Sequence, residues 1–228
     1  MAQRFQIRGM CYVGDAPVLM IADRPLKKWA ALIKWIEDKI LASILLIFLS
    51  PVLALIVLAI KLDSRGRVLF IQQRFGFNNE VIHVFKFRTM YIELSDESGT
   101  SRTIRGDPRV TRIGRILRSL SLDELPQLIN VLRGDMSLVG PRPHALAMRA
   151  GARPYGEAVE QYFHRHRVKP GITGWAQVNG LRGEVDSIDK AKARVERDLY
   201  YIDHWSVWLD LKILLMTART LLWPANVY

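Results

Sequence analysis

The sequence predicts an α+β protein, mainly helical, in which a re-entrant membrane helix, a small β-hairpin and amphipathic interfacial helices surround one domain. Three observations point there. Residues 40–60 read ILASILLIFLSPVLALIVLAI, uncharged between Lys39 and Lys61, and about 20 apolar residues suffice for a helix to cross a bilayer core. Two alternating stretches, RVLFIQQRFG and EVIHVFKFRTM, meet at the turn-prone FGFNNE and predict the hairpin. Helix-period apolar residues then recur in charged or tryptophan-flanked segments through the second half.

In chain order, residues 1–24 form an N-terminal arm of mixed polarity without a clear period, and 25–228 form the membrane-associated domain, with its re-entrant segment at 40–60. Pro25 to Asp38 predicts an amphipathic helix, with Trp29, Leu32, Ile33 and Ile36 at helical spacing and lysines elsewhere, suited to a membrane interface. Within the apolar run, Ser50-Pro51 removes a backbone donor and introduces a ring clash near the centre. Basic residues flank both ends: Arg24, Lys27, Lys28, Lys34 and Lys39 before it, Lys61, Arg65, Arg67 and Arg74 after it. A crossing helix carries its basic excess on the cytoplasmic side only. Both flanks therefore look cytoplasmic, and the run predicts a bent helix that enters and leaves by one face. The alternative is the core helix of a soluble protein, but helices apolar on every face are rare outside membranes.

Alternation in the second strand places Phe85 and Phe87 on one face and Lys86 and Arg88 on the other. Two adjacent cations there make either a phosphate clamp or a solvated outer face. ELSDESGTSRTIRGDPR is polar and turn-rich and predicts a mobile loop. Arg109 to Leu120 has helical spacing, with Ile113, Ile116, Leu117 and Leu120 apolar and Arg112, Arg115 and Arg118 opposite.

SLSLDELPQL follows, and its paired acids Asp123 and Glu124 are either a helix-capping pair or carboxylates poised for an anionic substrate. Ser121 with Glu124 three residues on has the pattern of a capping box. On that register Asp123 lies in the first helical turn, where the dipole favours a carboxylate. Pro126 leaves the Leu122 carbonyl without its helical donor and distorts the turn, after which the helix continues through Leu128, Val131 and Leu132.

Beyond it, Pro141 and Pro143 fix the backbone around Arg142, and VKPGITGWAQVNGLRGE is punctuated by glycine. Asp186 to Asp203 predicts a charged helix. Trp205 to Trp223 predicts an apolar helix that either lies at lipid headgroups or packs in the core.

Composition narrows the class. A chain of 228 residues makes one large domain or two small ones, and its net charge of +11 suits an anionic partner: nucleic acid, an acidic membrane or a phosphorylated substrate. The single cysteine, Cys11, excludes an intrachain disulfide and a cysteine metal cluster. The first apolar run comes too late for a cleavable signal. No nucleic-acid-binding module, P-loop or dinucleotide fingerprint is present, so no nucleic acid is expected as partner. His144, His164 and His166 lack metal-ligand spacing and read as structural or interfacial.

KFRTM, SLDELPQLINVLRGDMSLVGPRP, KPGITGWAQVNG and RDLYYIDHWSVWLDLKI stand in this order after the proline-broken segment. From Lys27 to Tyr228 the chain strongly resembles the bacterial sugar transferase family, monotopic phosphoglycosyl transferases, in their minimal catalytic form. The resemblance implies transfer of a sugar 1-phosphate from a UDP-sugar to undecaprenyl phosphate with release of UMP, at the cytoplasmic face of the bacterial inner membrane and among its phospholipids. It is a first membrane step of exopolysaccharide or other glycan assembly.

The resemblance also implies that Asp123 is a nucleophile forming a phosphoglycosyl-aspartate intermediate, and that Mg2+ is the cofactor, held by Asp123 and Glu124. Glu124 would orient the metal or assist proton transfer. Lys86, Arg88 and Arg142 match substrate-binding positions, as does the acidic position Asp198. GWAQVNGLRGE looks nearest to relatives that use UDP-glucose, with UDP-galactose next; the sequence does not specify the oligomeric state, and a homodimer would be unsurprising. A phosphosugar transferase of the multi-spanning class fails on the number of hydrophobic segments.

Overall fold

The computed structural model describes residues 9–13, 16–20, 28–94, 106–151, 153–183, 185 and 187–222. The first described elements are an antiparallel hairpin of β1 (Gly9–Val13) and β2 (Ala16–Met20), within the arm where the sequence offers no period.

A single helix follows, α1 (Lys28–Asp63), which takes in residues 28–38 of the segment expected to lie at the interface, residues 25–27 lying outside the described residues, and the whole apolar run. At 1.5 Å per residue a straight helix of this length is about 54 Å long, against a bilayer core about 30 Å thick. Lys34, Asp38, Ala42, Ile56 and Ile60 recur at helical spacing and are buried, whereas Ile47 and Phe48 are 72% and 78% exposed. Near the start of α1 the usual polarity is inverted: Trp29, Leu32, Ile33 and Ile36 lie outward and Lys34 and Asp38 inward. Burial of Lys34 is tolerable because it pairs with Asp38 at 3.0 Å and Asp210 at 2.7 Å. Apolar side chains outward and paired charges inward suit lipid rather than water.

Pro51 lies within α1 and cannot donate to the Ile47 carbonyl four residues back. The Ser50 hydroxyl donates to that same carbonyl at 2.8 Å, so the group freed by proline has a partner without needing solvent.

The expected hairpin is present as antiparallel β3 (Leu69–Phe75) and β4 (Val81–Phe87), with Phe70 opposite Lys86. Its second edge is closed by a side chain rather than a strand. Asn130 accepts from Phe85 N at 3.0 Å and donates to the His83 carbonyl at 2.7 Å. The loop expected to be mobile falls largely on residues 95–105, outside the described residues.

α2 (Arg112–Ser119) starts behind Thr111, whose hydroxyl accepts from Gly114 N at 2.9 Å. Its inward face carries only half of the expected apolar set, Ile113 and Leu117, which pack with Ile56, Ile60 and Phe87. Gly114 and Leu117 are buried, while Ile116 and Leu120 are 54% and 45% exposed. Gly114 sets this rotation: a Cβ there would lie 2.1 Å from the Thr89 carbonyl oxygen.

A one-turn 3-10 helix, Leu122–Glu124, links α2 to α3 (Gln127–Arg133). Next come β5 (Ser137–Val139), the two-residue strands β6 (Arg149–Ala150) and β7 (Arg153–Pro154), α4 (Tyr155–Ala158) and a 3-10 stretch, Tyr162–Arg167. β8 (Gly171–Thr173) pairs parallel to β5 and is followed by α5 (Trp175–Val178), α6 (Ile188–Asp203) and α7 (Val207–Leu222).

The main core gathers Ala42 of α1, Val84 of β4, Leu128 and Val131 of α3, and Tyr201, Ile202 and Ile213 of the last two helices. A second cluster holds Tyr155, Tyr162 and Val195, with the His144 ring 4.6 Å from Tyr155 and 5.6 Å from Tyr162. Burial, with Arg165 beside it, pushes His166 down to about 3 and burial lowers His144 as well. Both rings are therefore neutral packing elements near neutral pH, in line with the structural reading of these histidines.

Candidate active site

The paired acids stand at the junction of α2 and α3, where regular helix is broken. The capping box expected of Ser121 does not form. Ser121 has φ 58°, in the left-handed region, and its side chain makes no cap bond. The Leu122 carbonyl, denied a helical donor by Pro126, accepts from Leu125 N at 3.3 Å in 3-10 fashion. α3 itself begins only after Pro126.

Glu124 is drawn elsewhere. Lys86 Nζ lies 3.0 Å from Oε1, and Arg142 donates from Nη1 to Oε2 at 2.9 Å and from Nη2 to Oε1. Two charge-assisted partners outweigh a single backbone N–H, which is why the local pattern yields to the tertiary one. Asp123 makes no side-chain hydrogen bond among the described residues, and Lys86, Arg118 and Arg142 are close enough to act on its charge.

Each cation arrives on a defined element. Lys86 comes from β4, which Asn130 ties to α3. Arg142 follows β5, and its backbone is held by close approach of two glycines: a Cβ at Gly171 would lie 2.1 Å from Gly140 N. Arg165 Nη2 donates to the Arg142 carbonyl at 2.7 Å, and Arg165 itself pairs with Asp198 at 2.7 Å.

The structure thus brings together Asp123, Glu124, Lys86 and Arg142, and it separates two other expected residues. Arg88 is no companion of Lys86. β4 ends at Phe87, and the Arg88 guanidinium turns away to the end of α1, donating to Arg65 O and Ser64 O at 2.7 Å each. Asp198, expected to bind substrate or phosphate, is 2% exposed and committed to Arg165. It reaches the site only through Arg165 and the Arg142 backbone, and a bare carboxylate would repel phosphate.

Three residues missed in the sequence complete the surroundings. Arg74 donates to the Pro143 carbonyl at 2.6 Å, Arg182 donates to the Ser121 hydroxyl, and Arg165 anchors Arg142. Arg182 lies within GWAQVNGLRGE, a stretch that drew attention for its glycines. No local signal marks Arg74 or Arg165.

The two acids are driven apart electrostatically. Burial alone would raise Glu124, but Arg142 and Lys86 and the bonds they donate hold it well below the usual carboxylate range. Asp123 is raised, by burial first, with Lys86 opposing and the neighbouring Glu124 charge adding to the rise. Lys86 is lowered by burial, with Glu124 opposing and Arg74 assisting. Burial, with Arg142 next, pushes Arg74 down to about 10. One carboxylate is thus fixed as an anion by two cations, while its neighbour is more basic and uncommitted, the division expected of groups with separate chemical roles.

Mg2+ binds through one or two carboxylates together with substrate phosphate oxygens and water. The uncommitted Asp123 carboxylate among cations that would gather a diphosphate fits that donor set. Glu124, its oxygens engaged by Lys86 and Arg142, offers a second carboxylate only by exchanging partners.

A family model described as bacterial sugar transferase matches residues 29–224. The chain is 54% identical over 215 residues to an undecaprenyl-phosphate glucose phosphotransferase of Komagataeibacter xylinus, covering 94% of this chain and 40% of the relative. It is 52% identical over 206 residues to a UDP-glucose:undecaprenyl-phosphate glucose-1-phosphate transferase of Escherichia coli (strain K12), covering 90% and 44%. It is also 52% identical over 173 residues to an exopolysaccharide production protein of Rhizobium leguminosarum bv. phaseoli, covering 76% and 86%. The chain therefore spans less than half the length of the first two relatives.

Proposed function

The chain belongs to the bacterial sugar transferase family, and from that premise we propose that it transfers glucose 1-phosphate from UDP-glucose to undecaprenyl phosphate, releasing UMP. The observation that carries the reading is the division of labour at Asp123-Glu124: one acid neutralised by Lys86 and Arg142, the other beside them without a hydrogen bond among the described residues. In this reading an oxygen of Asp123 attacks the sugar-bearing phosphorus. The bond from that phosphorus to the bridging oxygen breaks, and UMP leaves with that oxygen. A phosphate oxygen of undecaprenyl phosphate then attacks the same phosphorus and displaces the Asp123 carboxylate, giving undecaprenyl diphosphate glucose.

Lys86 and Arg142 offset the repulsion between carboxylate and diphosphate, and Arg182 stands where it can reach the same anion. Magnesium held by Asp123 and the diphosphate, with Glu124 adjacent, would supply further charge neutralisation. Glucose is favoured by the names of the first two relatives, with galactose as the competitor, and exopolysaccharide assembly by that of the third. Purified full-length protein in lipid nanodiscs with undecaprenyl phosphate should release UMP from UDP-glucose faster than from UDP-galactose. The reverse order would reassign the sugar, and no UMP from any UDP-sugar would remove the reaction.

The second part of the proposal is topological: α1 enters and leaves the bilayer at its cytoplasmic face. Support comes from its flanks: Asp38 and Lys39 bond to β5 and α3, while the Ser64 and Arg65 carbonyls accept from Arg88 directly after β4, a strand that packs on α3. A crossing helix would hold those flanks on opposite sides of the membrane. The Ser50 bond to Ile47 supports a proline-centred bend in lipid. Cys11 on β1, the only thiol, tests this. A membrane-impermeant maleimide should label it only after the inner membrane is permeabilised, and labelling with the outer membrane alone opened would contradict the re-entrant path.

A further inference from the structure

Asp38, Lys39 and Asp63, three of the charged residues flanking the apolar run, are spent on the protein itself. On the N-terminal flank, Asp38 Oδ1 accepts from Leu138 N and Ser137 Oγ, both at 3.0 Å, on the strand that leads to Arg142. Lys39 donates to Leu132 O and, at 3.3 Å, to Val131 O, in the last turn of α3. The carbonyls of the last turn and the negative end of the helix dipole favour a cation there. On the C-terminal flank, Asp63 Oδ2 accepts from Ile113 N at 3.2 Å, in the first turn of α2, where the unpaired N–H groups favour a carboxylate. The backbone carbonyls just beyond it take the Arg88 guanidinium, two residues past Lys86.

α2 and α3 bracket the turn that holds Asp123 and Glu124. That turn has little of its own to fix its shape: one 3-10 helical turn, a left-handed Ser121 and a proline. Its geometry is set by where the two helices end, and those helices are gripped by opposite ends of the apolar run. We infer that Lys39 and Asp63 are positioning residues for the catalytic turn, so that the membrane helix is the frame that holds the nucleophile in register with its cations, as well as an anchor. Neither residue touches the reacting atoms; each acts through the helix it caps. Displacements near 1 Å at a reacting group can lower rates by about a hundredfold, so loss of one clamp is expected to act on turnover more than on nucleotide binding, which Lys86 and Arg142 serve from other elements.

The inference rests on the assignment of Asp123 as nucleophile, which an Asp123→Asn control tests separately. Full-length variants Lys39→Met, Lys39→Arg, Asp63→Ala and Asp63→Asn would be assayed in nanodiscs with UDP-glucose and undecaprenyl phosphate, with melting temperatures measured alongside. Lys39→Met and Asp63→Ala should each lower kcat about tenfold, with KM for UDP-glucose within about twofold of the parent. Lys39→Arg keeps the donors and Asp63→Asn an acceptor, so both should recover to within about threefold. Parental kcat in Lys39→Met and Asp63→Ala, KM rising in step with the loss of kcat, or equal losses in the conservative pair would each overturn the inference. Should Lys39→Met fail to fold, the Asp63 pair at the other end of the run decides it alone. Normal turnover in Asp123→Asn would instead strike the nucleophile assignment.

Discussion

Glu124 with Arg142 and Asp198 with Arg165 are chemically the same contact, a carboxylate and a guanidinium. Their side chains are 13% and 28% exposed in the first pair, and 3% and 1% in the second. The buried pair is closed: its arginine spends a further bond on the Arg142 carbonyl, and neither side chain is open to a ligand from outside. The open pair shares its acid with Lys86 and stands beside a second carboxylate with no bond among the described residues. An ion pair does not identify a site. A surplus of cations, an uncommitted acid and access from outside do.

Substitutions on the two sides should fail in different ways. The largest effect is expected for Asp123→Asn, which keeps the shape of the side chain but removes the attacking anion. UMP release should fall to background with the melting temperature near that of the parent, and near-normal release would end the covalent account. Arg165→Met comes next, acting on stability, because a buried carboxylate left without its partner costs about 3–5 kcal/mol. A large drop in denaturant midpoint is expected. Unchanged stability with lost activity would move Asp198 and Arg165 into the reacting site.

Arg142→Ala should behave in the opposite sense, with a modest change in melting temperature. Loss of a charge-assisted contact of about 1.5–3 kcal/mol lowers kcat/KM for UDP-glucose about tenfold to a hundredfold. Unfolding without a kinetic defect in the folded fraction would make the two pairs alike.

The smallest effect is a shift in pH dependence. In the proposed mechanism Asp123 must be ionised to attack, so turnover is present above its pKa and lost as pH falls through it. Burial places that acid limb above the ordinary aspartate value of 3.8, and Lys86 opposes the rise. In Lys86→Met the limb of kcat should therefore move to higher pH, and a limb that stays put or moves down would mean another group titrates there.

What the sequence conveys and what it hides divides along a physical line. The strand pattern located β3 and β4 and put Lys86 on the face opposite Phe85 and Phe87, because strand geometry is local; that this face is buried, with Val84, was not legible. The same alternation carried Arg88 too far, since the strand stops at Phe87 and the demand of the α1 terminus for donors captures the next side chain. Ser121 and Glu124 match a capping pattern that two distant cations override. Lys34 sits in an amphipathic register yet faces inward, because its partner Asp210 lies far along the chain. The apolar run is unmistakable, but its role as a clamp on α2 and α3 depends on contacts between residues 50 or more positions apart.

The central claim is a covalent bond to Asp123, and its most direct test is peptide mass spectrometry of the enzyme incubated with UDP-glucose in the absence of undecaprenyl phosphate. The account expects UMP in amounts matching the enzyme and one hexosyl phosphate on the peptide containing Asp123, discharged when undecaprenyl phosphate is added. An unmodified peptide with UMP formed only when both substrates are present, or the adduct on another residue, would contradict it.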